Sequence, residues 1–479
     1  MTVFGTQDIG GLTVEEGDVT LSGDGLRMTS DSVAGVVSGS TLSVSSVISN
    51  DSARQLAKGG DGTLTLSGAN TYAGVTKLEA GTISVPSLAN ATVDSPLGNY
   101  PTAGADGLNL IGGTLQYTGA TASRDRGFTL LGHSTLEVNT AGETLTLGES
   151  AALDAAGSLT VTGGAGSSLA PGHLYVSRST STMNPTTASL SIASIGLNES
   201  YGGGALTFTL GGTATGNEVT GAINRVNTHP NNWDGCHDVI KEGSSVWTLS
   251  GNNNYNGKTI VNDGTLLVTG EIQQAASVAV NGPGVLGGTG MIKKATTANA
   301  GGGLAPGLSV GTLTFTNNLN FAAMAGGGGT LVFELDALAG TSDQIAVSGT
   351  LGIGQGALRF TDFTFSDLGG LEAGTYTLMT SGVISGWIDD TNDSGAIGSF
   401  TGTLQLNGNN LELVVSGLAA GSDYDTWADG YPGLTDASAD LDFDGGGLEP
   451  VLSGSWAEIL VTEAMTPALR RRALKTAPT

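Results

Sequence analysis

The chain is poor in the residues on which most folds rely. Of 479 residues only 5% are aromatic and 13% charged, with 12 prolines and a single cysteine, Cys236. One cysteine closes no internal disulfide, which excludes the small disulfide-stapled secreted scaffolds. Few prolines, and glycines that keep no three-residue period, exclude a collagen triple helix. So low a charge content beside 39% apolar residues is the reverse of a disordered composition. Basic residues are scarce, 17 against 43 acidic, for a net charge of −26. Phosphate backbones would be repelled, so nucleic acid is not an expected partner. No run of ~18 apolar residues is present, so no transmembrane segment is expected. Met1 to Gly10 show neither the basic nor the apolar region of a signal peptide. If the chain is exported, the expectation is a fragment or a truncated reading frame whose export and anchoring signals lie elsewhere.

Glycine is what the chain has in excess, 79 residues of it. Placed among Thr, Leu and Val, it points to many short strands joined by tight turns, because glycine supplies the positive-φ positions such turns need. A short phrase recurs: a small residue, Thr, then alternating apolar residues. Thr41-Leu42-Ser43-Val44, Thr63-Leu64-Thr65-Leu66, Thr82-Ile83-Ser84-Val85, Thr114-Leu115-Gln116-Tyr117 and Thr312-Leu313-Thr314-Phe315 are examples. A period of two means one face buried and one wet. The steps from Leu42 to Leu64 (22 residues), Leu64 to Ile83 (19), Leu313 to Leu331 (18) and Leu331 to Leu351 (20) match one coil of a stacked solenoid. Irregular steps elsewhere are read as loops inserted between coils. No convincing amphipathic helix precedes residue 420.

A longer repeat lies above the short one. Residues 58–85 and 241–268 agree at 13 of 28 positions without gaps. The shared positions include Asn70 and Asn253, Tyr72 and Tyr255, and Gly74 and Gly257. Leu169 to Gly172 returns as Leu304 to Gly307 (both Leu-Ala-Pro-Gly), and Leu206 to Leu210 is read as returning at Leu331 to Leu335. The two Leu-Ser-Gly-x-Asn-x-Tyr-x-Gly-x-Thr segments, each ending Gly-Thr-(Leu/Ile)-x-Val, resemble the autotransporter-associated β-strand repeat. The later Ala-Pro-Gly turns and Asp343-Gln344 before an apolar strand extend the likeness. The strong matches cover 56 residues and the looser pattern runs to about residue 416. The resemblance implies an all-β, right-handed parallel β-helix displayed outside a bacterium, with a repeat linked to export and folding of the passenger rather than to chemistry.

Physics supports the same architecture. One coil cannot bury its apolar residues alone, whereas stacked coils share a continuous column and pair every strand. Asn70 and Asn253, beside turns, are expected to bond backbone or an Asn on the next coil. Tyr72 and Tyr255 are expected to cap a corner with the ring packed and the hydroxyl wet.

Other candidate sites are weaker. In Asp440-Leu-Asp442-Phe-Asp444-Gly445, alternate Asp residues before glycine suit a calcium loop. The segment also resembles the Asp-rich module that follows such repeats in surface proteins. That pattern has Asp where Gly446 stands and Asn where Pro450 stands, and an EF-hand would need Glu where Val451 stands. His229, Asp234, Cys236, His237 and Asp238 form a His/Cys cluster, but their spacing fits no standard zinc site. Arg124 and Arg126 flank Asp125, a grouping read as a solvated turn. No Gly-x-Ser-x-Gly elbow sits between strand and helix. Gly326 to Gly329 is not followed by Gly-Lys-Ser/Thr, so it is no phosphate loop.

The expectation is therefore a β-helical region at 1–420 and an acidic, poorly structured tail at 421–479 with a basic C-terminus. The function expected is a non-enzymatic surface or secreted passenger, a structural stalk or adhesin, outside or on the outer membrane of a Gram-negative-type bacterium. Its partner would be an extracellular carbohydrate or protein, and no cofactor is expected beyond calcium in the tail. The alternative is a polysaccharide lyase or glycosidase on the same scaffold.

Overall fold

The structure, a computed structural model, describes residues 1–104, 107–148, 150–177, 180–198, 206–226, 237–336 and 341–418. The chain divides into two units, Met1–Gly395 with Thr403–Val414, and Ala396–Gly402 with Val415–Thr479. The described residues of the second unit are strand and turn. The tail expected at 421–479, including Asp440, Asp442 and Asp444, lies outside the described residues.

Among the described residues there is no α-helix, only short strands and 3-10 turns such as Phe360–Asp362. In the first unit the strands form a parallel β-helix. One ladder of 33 strands wraps two faces and a ladder of 12 covers a third. Two faces merge into one ladder because strands such as Leu108–Tyr117 and Thr129–Val138 cross a corner without ending, slipping register between Leu110 and Gly112. A strand returning parallel to its predecessor needs a full turn of chain, and strand twist favours the right-handed turn.

The alternating phrase explains the core. Leu42 stacks on Leu64, Leu64 on Ile83, Ile83 on Leu115, Leu115 on Leu136 and Leu136 on Val161. On the third face Trp247, Leu266, Leu286, Leu304, Leu331 and Phe363 form a second column. Their neighbours one residue away point outward, so Thr41, Thr63, Thr82, Thr114, Thr135 and Thr160 stack in register on the wet side. Each fully buried Leu, Val or Ile contributes about 1.5–3 kcal/mol, and successive rungs share that burial.

Two expectations about spacing are corrected. Leu313, Leu331 and Leu351 are not successive rungs. Leu313 lies beside Ile345, Leu331 between Leu304 and Phe363, and Leu351 beside Leu319. Their even steps pass from face to face, while the true coils here are lengthened by the segment around Phe321 to Gly329. Likewise Leu206–Leu210 belongs to the 33-strand ladder and Thr330–Asp336 to the 12-strand ladder, so the two segments do not occupy equivalent places. The Ala-Pro segments do, as strands rather than the expected turns: Ser168–Pro171 and Gly303–Pro306 both lie in the 12-strand ladder.

Candidate functional site

The residues shared by the two long repeats converge into one buried arrangement, built twice. It starts at a lysine. Lys58 and Lys241 are 0% and 1% exposed, yet neither has a carboxylate on its ammonium. Lys58 Nζ donates to the carbonyls of Gly59 (2.8 Å), Gly60 (2.6 Å) and Ala80 (3.3 Å). Lys241 Nζ donates to those of Glu242 (2.7 Å), Gly243 (2.5 Å) and Asp263 (3.1 Å). Each ammonium thus ties a corner of one coil to the same corner of the next. Burial pushes both groups below the usual lysine value, Lys241 to about 8, opposed by the nearby Asp263 and Glu242.

The corner is made of glycine because the backbones pass too closely for a side chain. Gly81 and Gly264 have φ of +68° and +60°, and a Cβ at either would fall 2.7 Å from the lysine Nζ and 2.4 Å from the carbonyl of Gly60 or Gly243 on the coil before. Gly74 and Gly257 are needed for a different reason. A Cβ there would lie 1.8 Å from the Arg54 carbonyl oxygen or 2.0 Å from that of His237.

Asn70 and Asn253 bridge coils through backbone, not through a second Asn. Asn70 Oδ1 accepts from the Ile48 N–H (2.8 Å), and its Nδ2 donates to the Pro96 carbonyl (2.8 Å). Asn253 Oδ1 accepts from the Ile223 N–H (2.9 Å), and its Nδ2 donates to the carbonyls of Gly251 (2.9 Å) and Glu271 (3.0 Å). The Tyr72 and Tyr255 hydroxyls are not wet as expected. Both side chains are buried, and each hydroxyl meets a threonine Oγ1, Thr76 at 2.7 Å and Thr259 at 2.6 Å. The same Tyr and Thr sit four residues apart in each repeat, so the strand after the glycine supplies the partner. Burial pushes the Tyr72 hydroxyl up to about 12 and raises that of Tyr255 as well.

The Arg124-Asp125-Arg126 grouping is not a solvated turn. Arg126 is 2% exposed and donates to the carbonyls of Ala89, Leu97 and Gly98 and to Ser95 Oγ. Arg124 donates to the Leu88 carbonyl, and Asp125 Oδ1 accepts from the Ala91 N–H (2.7 Å). Three consecutive residues thereby hold down the insertion that follows the first repeat. The Thr76 hydroxyl donates to the same Leu97 carbonyl as Arg126.

The structure also places a stack of asparagines that sequence reading passed over. Asn262, Asn281 and Asn299 stack amide on amide at 2.8 and 2.7 Å, with Glu242 Oε1 accepting from Asn262 at 2.7 Å. Their spacing of 19 and 18 residues, each just before a glycine turn, is the signal that would have found them. Asp343 is buried and accepts from the N–H groups of Gly311 and Glu334 (both 2.8 Å); burial pushes its carboxyl up to about 6. Of the His/Cys cluster, His229, Asp234 and Cys236 lie outside the described residues. His237 is buried in the strand His237–Lys241, and Asp238 accepts from the Lys258 N–H (2.7 Å). Among the described residues no three His, Cys, Asp or Glu side chains are grouped so as to hold a metal. None of their helices is long and apolar enough to cross a membrane.

A family profile described as passenger-associated-transport-repeat matches residues 56–85 and 239–268, the two copies of this arrangement. The chain thus carries two copies of a repeat known from autotransporter passengers. The chain is also 32% identical, over 280 residues, to the adhesin BmaC autotransporter of Brucella suis biovar 1 (strain 1330). That alignment covers 52% of the chain but 8% of the Brucella protein, so the chain spans a small part of that relative's length. The crystal structure of the Haemophilus influenzae Hap adhesin is a further match, at 11% identity and a TM-score of 0.20, over 84% of this chain and 64% of that one. The repeat match and the adhesin relative together support a surface or secreted location.

Proposed function

We propose that this passenger is a non-enzymatic part of a bacterial surface adhesin, displayed outside the outer membrane of a Gram-negative-type cell, where its exposed strand faces and loops contact an extracellular carbohydrate or protein. The observation that carries the reading is the use made of the repeat. Lys, Asn, Tyr and Thr in both copies spend their polar groups inside the ladder, stapling coil to coil. Contacts with a partner therefore fall to the outward residues. The name of the Brucella relative points the same way. In the same proposal the acidic tail is a calcium-binding module through Asp440, Asp442 and Asp444.

The experiment is adhesion of beads coated with the full chain to host-cell and matrix surfaces, alongside turnover assays on a panel of plant and algal glycans. Specific, saturable adhesion without turnover is expected. Turnover of any glycan would replace this reading with the lyase or glycosidase alternative. Calorimetry with calcium tests the tail, and no uptake, or uptake unchanged by Asp442→Ala, removes that part.

A further inference from the structure

Two tryptophans lie among the described residues, and they are used in opposite ways. Trp247 is 0% exposed and donates its Nε1 to the Gly211 carbonyl at 2.9 Å, as a core indole should. Trp387 is 55% exposed, although it lies within a strand, one residue before the end of Gly374–Ile388. A ring left this exposed gives up much of the burial that such a large side chain could contribute to folding.

The ring lies on a bare floor. Gly356 stands beneath it, and a Cβ there would fall 2.3 Å from Trp387 Nε1 and 2.9 Å from its Cδ1. Across the ladder Trp387 is in register with Gln355, Ser385 with Gly352, and Val383 with Thr350. Val383, Ser385 and Trp387 point outward together, along about 13 Å at the rise of a strand. Beside them Gly352, Gly354, Gly356 and Gly386 raise no side chain. The Gln355 amide and the Ser385 hydroxyl make no hydrogen bond among the described residues. One end of this lane is closed by Arg359, whose Nε donates to Asp389 Oδ2 at 3.0 Å. The Asp389 carboxylate also accepts from Thr391 Oγ1 (2.6 Å) and Asn392 Nδ2 (2.9 Å), so the ion pair is locked and charge-neutral.

These features select among occupants. A protein partner docking by apolar burial would find no contiguous patch here, because Ser385 separates the two exposed apolar residues. A polyanion would meet a net charge of −26 and an arginine already neutralised. A neutral sugar chain fits both halves of the chemistry. The C–H face of a pyranose packs on an indole, and its hydroxyls take up an amide and a hydroxyl that lack partners. Strand positions hold the platform rigid before binding, which limits the entropy lost.

We propose that the face formed by Trp387, Gln355 and Ser385 is a saccharide-binding subsite, with one sugar ring of a neutral glycan stacked on Trp387 and the chain lying along the strand towards Val383. This deepens the adhesin reading and rests on it. The test is native affinity electrophoresis of the full chain through gels containing soluble β-glucan, xylan or galactomannan, with hyaluronate and chitosan as charged controls. Retardation by at least one neutral polymer is expected. Trp387→Ala should weaken it about tenfold or more, Trp387→Phe should keep a part, and amide-exchange protection of the neighbouring strands should be unchanged in both. No retardation by any neutral polymer, retardation only by a charged one, or an unchanged Trp387→Ala protein overturns the subsite. Bead adhesion measured on the same variants separates the two readings. Adhesion that persists without glycan retention removes the subsite alone, and glycan retention without adhesion removes the adhesin reading alone.

Discussion

Replacing Asn253 by alanine tests whether coils are stapled by amide hydrogen bonds or merely packed. The side chain is fully buried and touches three backbone groups, two of them on neighbouring coils. Removing it leaves the Ile223 N–H without its acceptor, and a buried group left unsatisfied costs ~1–3 kcal/mol. The Gly251 carbonyl still accepts from the Glu271 N–H at 3.0 Å, so the lost donors add less. A total of about 2–4 kcal/mol follows, or roughly 30- to 1,000-fold in the local opening equilibrium. A global melting midpoint is a blunt readout, because each rung of a solenoid contacts only its neighbours and the stack need not unfold in one step. Hydrogen exchange at the Ile223 amide reads the affected bond itself. Asn253→Leu separates the causes, since leucine restores bulk but no acceptor. If the Ile223 amide in Asn253→Ala exchanges at the wild-type rate, or if Asn253→Leu restores protection, the stapling argument fails.

Gly74→Ala and Gly257→Ala should each cost at least ~3 kcal/mol through backbone overlap. Gly39→Ala, at φ +79° with nothing within 4 Å of the new Cβ, should cost about 1 kcal/mol. Equal losses at all three, in chemical denaturation, would refute the close-approach argument. Arg126→Met should free the insertion between Val85 and Leu108, read as new protease cleavage at the exposed Thr92-Val93-Asp94 segment; a protease-resistant variant would show that the latch is not needed. Asp343 has a folded pKa of about 6, above its ordinary value of 3.8. The folded state therefore holds this proton more tightly than the unfolded one, so its contribution is present below pH ~4 and is lost as pH rises through about 6. Protection of the Gly311 and Glu334 amides should fall over that window, and a flat profile would contradict it.

The pattern of apolar residues, Leu42, Leu64, Ile83 and Leu115 among them, determined by itself that the chain makes short, half-buried strands. A period of two is a local property of the backbone, as is the demand for glycine at Gly81 and Gly264. The two long repeats likewise marked Asn70, Tyr72, Gly74 and their counterparts, since identical surroundings preserve identical residues. What the pattern held back was which strand lies on which. Register across coils depends on how much chain each turn inserts, so the step from Leu313 to Leu331 passed for a coil although it joins two faces. Burial by distant chain was hidden for the same reason. Arg126 read as part of a solvated turn until carbonyls 28 to 37 residues away closed over it, and nothing local marked Lys58 as buried. Trp247 and Trp387 are the same letter on similar strands, and only the stack decided that one fills the core while the other faces water.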